Sequence, residues 1–421
     1  MVMKTSSRRF LIILLQNHLL VHGKSCFKCF CRLLNNFSLF DNKTIIVSMK
    51  VLQLGKFYPI RGGVEKVMYD LMAGLDERGV ACDMLCAATS GRTRTVKVGS
   101  RARVFCCRSL RKVAGTMLSP TLVRQTRRIC KDYDIIHVHH PDPTACLALL
   151  CSGFRGRVVL HWHSDIVKQR RLLKLYEPMQ RWLIRRADII IGTTPVYLAE
   201  SPFLREVQHK VDCLPIGVSP MHPQPEAVAR LQARYPGKKI VFSLGRLVPY
   251  KGFKYLVRAA RYLDDSYVVL IGGSGPLEAK LRGEIEAYGL EGRVQLLGQV
   301  ADADLPAYYG ACSLFCLPSV QRTEAFGIVQ VEAMSCARPV VTTRIPGSGV
   351  AWVNEHGVSG LNVAPGDDRE LADAILAITR DEETYRRFSL GALSRYRQLF
   401  TKDNMIDRCI TFYNRLSCGY K

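Results

Sequence analysis

From Met49 onward, short apolar runs alternate with longer amphipathic stretches. Lys50–Gly55, Cys82–Ala87, Ile135–His139, Val158–His161 and Ile189–Gly192 are brief and mostly apolar, the pattern of strands covered on both faces. Val64–Gly79 has a helical period and ends on glycine. The pattern then repeats. Lys239–Gly245, Tyr267–Gly272, Val294–Gly298, Leu314–Leu317 and Pro339–Thr342 read as strands, with helices over Gly252–Leu263 and Ala303–Ala311 and a final one over Met405–Leu416. Strand–helix alternation predicts an α/β protein with two doubly wound parallel sheets. A proline-rich break at Pro215–Pro225 divides them. The expected units are an extension over 1–48, a first domain over 49–222, a second over 223–400, and a tail over 401–421 that carries the last helix.

A chain of 421 residues has room for two cores. Its net charge of +24 is unusual and points to polyanionic partners: an anionic membrane, nucleic acid or phosphorylated ligands. The sixteen cysteines are scattered and mostly sit in apolar runs, as reduced core residues do. Residues 1–48 differ from the rest and read as a disordered extension or a mispredicted start. Their apolar run, Phe10–Leu15, is too short to span a membrane, and Cys26, Cys29 and Cys31 lack a second ligand pair for zinc.

Candidate chemistry centres on Glu324–Glu332, E-A-F-G-I-V-Q-V-E. The first carboxylate falls on a loop and the second in the helix that starts at Phe326-Gly327. That helix start offers free N–H groups to an anion, although acids near a helix N-terminus also serve simply to complement its dipole. In Gly245–Gly252, Arg246 and Lys251 flank a turn and can neutralise a diphosphate, or can be solvated charges. Gly62-Gly63 lets backbone N–H groups approach a ligand closely, or forms a plain turn. No G-x-G-x-x-G dinucleotide fingerprint is present. Histidines crowd two strand ends, His137, His139 and His140 on one and His161 and His163 on the next. His137 and His139 share a face, but no further metal ligand is evident in sequence, so no metal is expected.

These stretches resemble the retaining glycosyltransferases of family 4, which have the GT-B fold: two Rossmann-like domains facing across a cleft. The resemblance includes Ser319, Ala325–Ile328, Glu332–Met334 and Arg338–Thr343, and extends from Met49 to the C-terminus. It implies a nucleotide-diphosphate sugar bound mainly to the second domain, with no cofactor. Glu332 would hold the ribose, Glu324 the sugar hydroxyls, and Arg246 and Lys251 the leaving diphosphate. Phe326, Gly327, Ile328, Gly298, Gly62 and Gly63 would complete the donor site. His139 would meet the transferred sugar, and His163 would lie on the acceptor side. The tail helix would cross back to the first domain. H-W-H-S-D and V-P-Y-K-G-F-K look like O-antigen and capsule enzymes, several of which use GDP-mannose, which favours a mannosyl donor.

Two basic stretches remain. Residues 92–131 hold twelve Lys/Arg and no Asp/Glu, and 168–186 interleave cations with Leu, Tyr and Trp. Cationic and apolar residues mixed in this way suit an anionic lipid surface. Both fall in the first half, where a polyprenyl-diphosphate-linked acceptor would be met at the cytoplasmic face of a membrane. No nucleic-acid motif is present. The competing classes are another GT-B enzyme, such as an epimerase or phosphorylase, and a non-catalytic basic protein on this scaffold.

Overall fold

The computed structural model describes residues 49–417 except 61, 90, 114 and 167–169; the side chains of 170–173 are also outside the description. The expected extension over 1–48, with its three cysteines, therefore lies outside the described residues.

The first half runs β1 (Lys50–Tyr58), α1 (Gly63–Glu77), β2 (Ala81–Ala88), β3 (Arg94–Lys97), β4 (Arg103–Cys107), β5 (Arg111–Val113), β6 (Thr116–Leu118), α2 (Pro120–Ile129), β7 (Ile135–His140), α3 (Pro143–Leu150), β8 (Arg157–Trp162), α4 (Arg170–Arg186), β9 (Ile189–Gly192), α5 (Pro195–Ala199) and β10 (Val211–Cys213). Eight strands form one sheet in the order β10-β9-β8-β7-β1-β2-β4-β3. Its pairs are parallel except β3 on β4. The apolar runs that predicted strands are its buried centre. The sequence pattern did not predict β3 to β6. β3, β5 and β6 have only three or four residues each and are largely exposed. β4 is mostly apolar and buried, but its short apolar run lies between the exposed cations Arg103 and Arg108. β5 and β6 form a separate antiparallel hairpin.

The second half runs α6 (Pro225–Ala233), β11 (Lys239–Leu244), α7 (Phe253–Ala259), β12 (Tyr267–Gly272), α8 (Glu278–Ala287), β13 (Val294–Gly298), α9 (Leu305–Ala311), β14 (Leu314–Leu317), α10 (Ile328–Ser335), β15 (Val340–Thr343), α11 (Val350–Val353), β16 (Gly360–Val363), α12 (Asp368–Thr379), α13 (Glu382–Leu399) and α14 (Lys402–Ser417). Six strands make a fully parallel sheet, β13-β12-β11-β14-β15-β16. The predicted helix over 252–263 is shorter and closes in a 3-10 turn at Ala260–Tyr262. β16 is a strand beyond the last one predicted.

Strand order reverses direction between β1 and β7 in the first sheet and between β11 and β14 in the second. Loops leaving the carboxyl ends of such strands diverge and open a crevice, the usual ligand site of doubly wound sheets. The second domain ends by returning to the first. Thr401 bridges Val218, and α14 packs on α1. Gly74 permits that crossing: a Cβ there would stand 1.9 Å from Ile406 Cδ1. Arg78, the residue that caps the C-terminus of α1, clamps it with 2.6 Å ion pairs to Asp403 and Asp407.

Candidate active site

The second-domain half of the site grows from two loops at the β11/β14 crevice. After β11 the chain turns at Gly245 and again at Gly252, where φ is +70°. A Cβ on Gly252 would lie 1.9 Å from the Pro318 carbonyl oxygen, so only glycine lets this turn meet the loop after β14. Val320 N–H donates to the Tyr250 carbonyl at 2.8 Å and ties the loops together. Lys251 Nζ then lies 2.7 Å from Glu324 Oε2, each side chain only 11% exposed. Ser319 Oγ donates to the same carboxylate oxygen at 3.0 Å, and Ser348 holds the Glu324 carbonyl. Arg246 is exposed, its guanidinium 3.3 Å from the Tyr250 hydroxyl, and it has no carboxylate partner among the described residues.

Gly327, with φ of +72°, turns the chain into α10. The amides of Phe326, Gly327 and Ile328 have no backbone acceptor among the described residues, which leaves them free at a helix N-terminus. One turn further, Glu332 accepts from the Tyr309 hydroxyl at 2.8 Å. Burial raises the Glu332 carboxyl above its ordinary pKa, and the Tyr309 bond and Lys66 of α1 oppose that rise. Gly298 stands apart from this cluster. Its carbonyl accepts from Gly273 N–H at 2.6 Å, and Gly273 in turn presses on the Gly245 carbonyl. It meets the site only through that stack.

The first domain faces these groups. Gly62 precedes α1, and a Cβ on Gly63 would sit 3.0 Å from Ile328 Cδ1, so the two-glycine turn abuts the start of α10. Register places His139 beside His161 and Gln53 beside His137 on one sheet face. The result is a buried stack of His137, His139, His161 and His163, with ring centroids 3.9 to 5.3 Å apart. His139 bridges His163 Nε2 at 2.9 Å and Gln53 Oε1 at 2.5 Å. His137 bonds the Tyr413 hydroxyl of α14 at 2.6 Å. Burial lowers all four imidazoles, His161 to about 3, so the stack is neutral at physiological pH.

The third imidazole beside His137 and His139 is His161, which strand pairing brings to the same face. His137, His139 and His161 offer nitrogens within 4.8 Å of one another, and these are the residues that could hold a metal. Their rings lie within 32° of parallel, and both nitrogens of His139 are already engaged. Lone pairs of stacked rings run side by side and do not converge on a point, so coordination would require the stack to open.

Four further groups escaped sequence reasoning. Lys56 follows the glycine of a bulge, at φ of 60°; its amide donates to Asp142 at 2.5 Å and its ammonium to the Pro141 carbonyl. Burial lowers its pKa despite Asp142 and Glu65 nearby. Arg322, two residues before Glu324, reaches across to the first domain: it pairs with Asp165 at 3.2 Å and lies over the Tyr197 ring at 4.9 Å. Tyr309 has only its hydroxyl to reveal it, and Asp165 only its place in H-W-H-S-D.

This constellation can hold an anion between Arg246, Lys251 and the α10 amides, with carboxylates at either end for hydroxyls. The sequence model "Glycosyltransferase Family 4" matches residues 61–222, and "Glycosyl transferases group 1" matches 227–394. The chain is 34% identical to O-antigen chain mannosyltransferase C of Escherichia coli, over 87% of this chain and 99% of that one. This chain is a family 4 glycosyltransferase with the GT-B fold. The transferase is also 31% identical to D-rhamnosyltransferase WbpZ of Pseudomonas aeruginosa, over 84% and 92% of the two chains. Among solved structures it superposes on Anabaena Alr3699/HepE in complex with UDP with a TM-score of 0.71, at 22% identity, covering 87% and 100% of the chains. No helix among the transferase's described residues is long and apolar enough to cross a membrane.

Proposed function

We propose that this glycosyltransferase moves mannose from a GDP-activated donor to a lipid-linked saccharide, with retention of anomeric configuration, in cell-surface polysaccharide synthesis. The observation that carries the reading is the Lys251–Glu324 pair at the free amides of α10. A diphosphate entering there meets Arg246, Lys251 and those amides, and releases Glu324 to accept sugar hydroxyls. Glu332, oriented by Tyr309, accepts from the ribose. Cations and helix amides aimed at the leaving diphosphate perform the electrostatic work that a divalent metal performs elsewhere, so turnover is metal-independent. The acceptor hydroxyl attacks from the face the diphosphate leaves, and the departing phosphate oxygen takes its proton. No side-chain nucleophile is required. Domain closure excludes water, which would otherwise consume the donor. The mannosyl donor is supported by the Escherichia coli relative and the lipid-linked acceptor by the cationic first domain, which would place the enzyme peripherally at the inner face of the cytoplasmic membrane.

The test is thermal unfolding with a panel of GDP- and UDP-sugars, on the chain and on Glu332→Ala. A donor at a hundred times its Kd adds roughly 2.7 kcal/mol. Protection by GDP-mannose that disappears in the variant is expected. Protection by UDP-sugars alone overturns the donor, and an inverted product anomer overturns retention.

A further inference from the structure

We propose that the β5–β6 hairpin is the element that seats this enzyme on an anionic lipid bilayer, bringing the bilayer surface to the rim of the cleft beside Phe57. The inference rests on the reading of a lipid-linked acceptor.

The hairpin belongs to neither large sheet. Its pairing is Arg111 with Leu118, Lys112 with Met117 and Val113 with Thr116. Alternation in an antiparallel ribbon gives it two faces. The inner face is anchored. Met117 is buried, its carbonyl accepts from Thr144 Oγ1 at 2.8 Å, and the Lys112 ammonium lies 4.9 Å from the Phe57 ring. Phe57 directly follows Lys56, whose ammonium reaches Pro141 at the end of the His139 strand. The inner face is therefore a wall of the cleft rim.

Among the described residues, the outer face has no such partners. Arg111, Val113 and Leu118 are exposed, and Leu110 at the hairpin's base is 71% exposed. The apolar surface continues over the helices packed beside it. β6 lies against α3, which shows Leu147 and Leu150, and α3 lies against α4, where Leu175 is 80% exposed next to Lys174. Half of the exposed large hydrophobic residues described in the chain, six of twelve, fall on this flank. The flank is also cationic: Arg124, Arg127 and Arg128 of α2 are exposed, within a stretch that has no carboxylate from 92 to 131.

Aliphatic side chains alternating with long cations match a lipid interface. The aliphatic groups enter the acyl boundary while Arg and Lys stems lie along it with their charges among phosphates. Single-stranded nucleic acid is matched less well, since it calls for aromatic platforms and the outer face has none.

The full chain would be sedimented with vesicles of phosphatidylcholine alone and of equal parts phosphatidylcholine and phosphatidylglycerol. The comparison is Leu110→Ser/Arg111→Gln/Leu118→Ser, which alters only exposed positions and should match the parent in Tm. The parent is expected to bind the anionic vesicles and not the neutral ones, and the variant to bind them at least tenfold more weakly. Turnover on a short water-soluble acceptor should be the same in both. Undiminished vesicle binding by the variant overturns the hairpin as the seat. Failure of the parent to bind either vesicle, or preference for RNA over vesicles, overturns the bilayer. Absence of turnover in the parent on any acceptor is a separate result, against the transferase reading itself.

Discussion

Lys251 Nζ and Glu324 Oε2 are 2.7 Å apart, an ion pair beside the free amides that open α10. Under the proposed function neither needs the other once the donor is present, since the diphosphate would take the lysine and the sugar the carboxylate. The pair is a placeholder that keeps two nearly buried charges compatible with the empty cleft. Lys251→Met and Glu324→Gln should each lower kcat/KM by about 10²- to 10³-fold, the size seen when one preorganised transition-state contact is lost. The double variant should lose less than the product of the two. Steady-state kinetics on the four proteins measures this, and strict additivity would count against a shared role.

Arg322 is the second bridge. Its guanidinium pairs with Asp165 of the first domain, and its backbone stands two residues before Glu324. Asp165 is itself fixed, accepting from Trp162 Nε1 at 2.9 Å and Ser201 Oγ at 2.8 Å. His163 of the same loop holds His139. One first-domain loop thus governs both a histidine of its own domain and the carboxylate loop of the other. Arg322→Met should raise donor KM and lower kcat together, by roughly 10- to 100-fold in kcat/KM, as misplacement of a reacting group does. Asp165→Asn added to it should cost little more. An Arg322→Met enzyme with unchanged kinetics would remove the bridge from the mechanism.

Glu332 gives a pH signature. Burial holds its carboxyl above the ordinary value, so it protonates earlier than a surface carboxylate as pH falls. The ionised form is the stronger acceptor for hydroxyl donors, so donor KM should rise on the acid side. Stability moves the other way. The folded chain takes up this proton more readily than the unfolded chain, so Glu332 costs stability above its folded pKa and the cost is relieved as pH falls through it. Glu332→Gln should flatten both trends, read from KM and from unfolding midpoints across the acid range.

Gly74 tests the returning helix. Valine there would drive Cγ atoms into Ile406, which already leaves no room for a Cβ. Overpacking of this kind costs about 1–3 kcal/mol. Urea unfolding should show that loss, and hydrogen exchange should place it in α1 and α14. A Gly74→Val protein as stable as the parent would mean the helices can part freely.

Much of this was legible in sequence. The apolar runs of β1, β7, β11 and β12 were recognisable because a parallel strand covered on both faces is mostly apolar. Glu324, Glu332, Arg246 and Lys251 stood out through the resemblance to family 4; their spacing alone fits a helix start and solvated charges as well. Contacts between distant segments were not. Tyr309 meets Glu332, Tyr413 meets His137 and Arg322 meets Asp165 only because topology brings them together. The β5–β6 hairpin was hidden for a different reason. Its exposed, cationic residues have no core to face, so they leave no periodicity.

The hydroxyl of Tyr413 reaches the histidine stack from α14, which follows the whole second domain in the chain. A ribosome delivers residues in order, and domains generally fold as they emerge. Here the first domain lacks a piece of its own interior until the second has been made. While the second domain is synthesised the α1 flank remains uncovered, with Met68, Leu71 and Leu75 assembled and Ile406 and Ile410 not yet made. A chain cut short before α14 would therefore spoil the half of the protein that was made first.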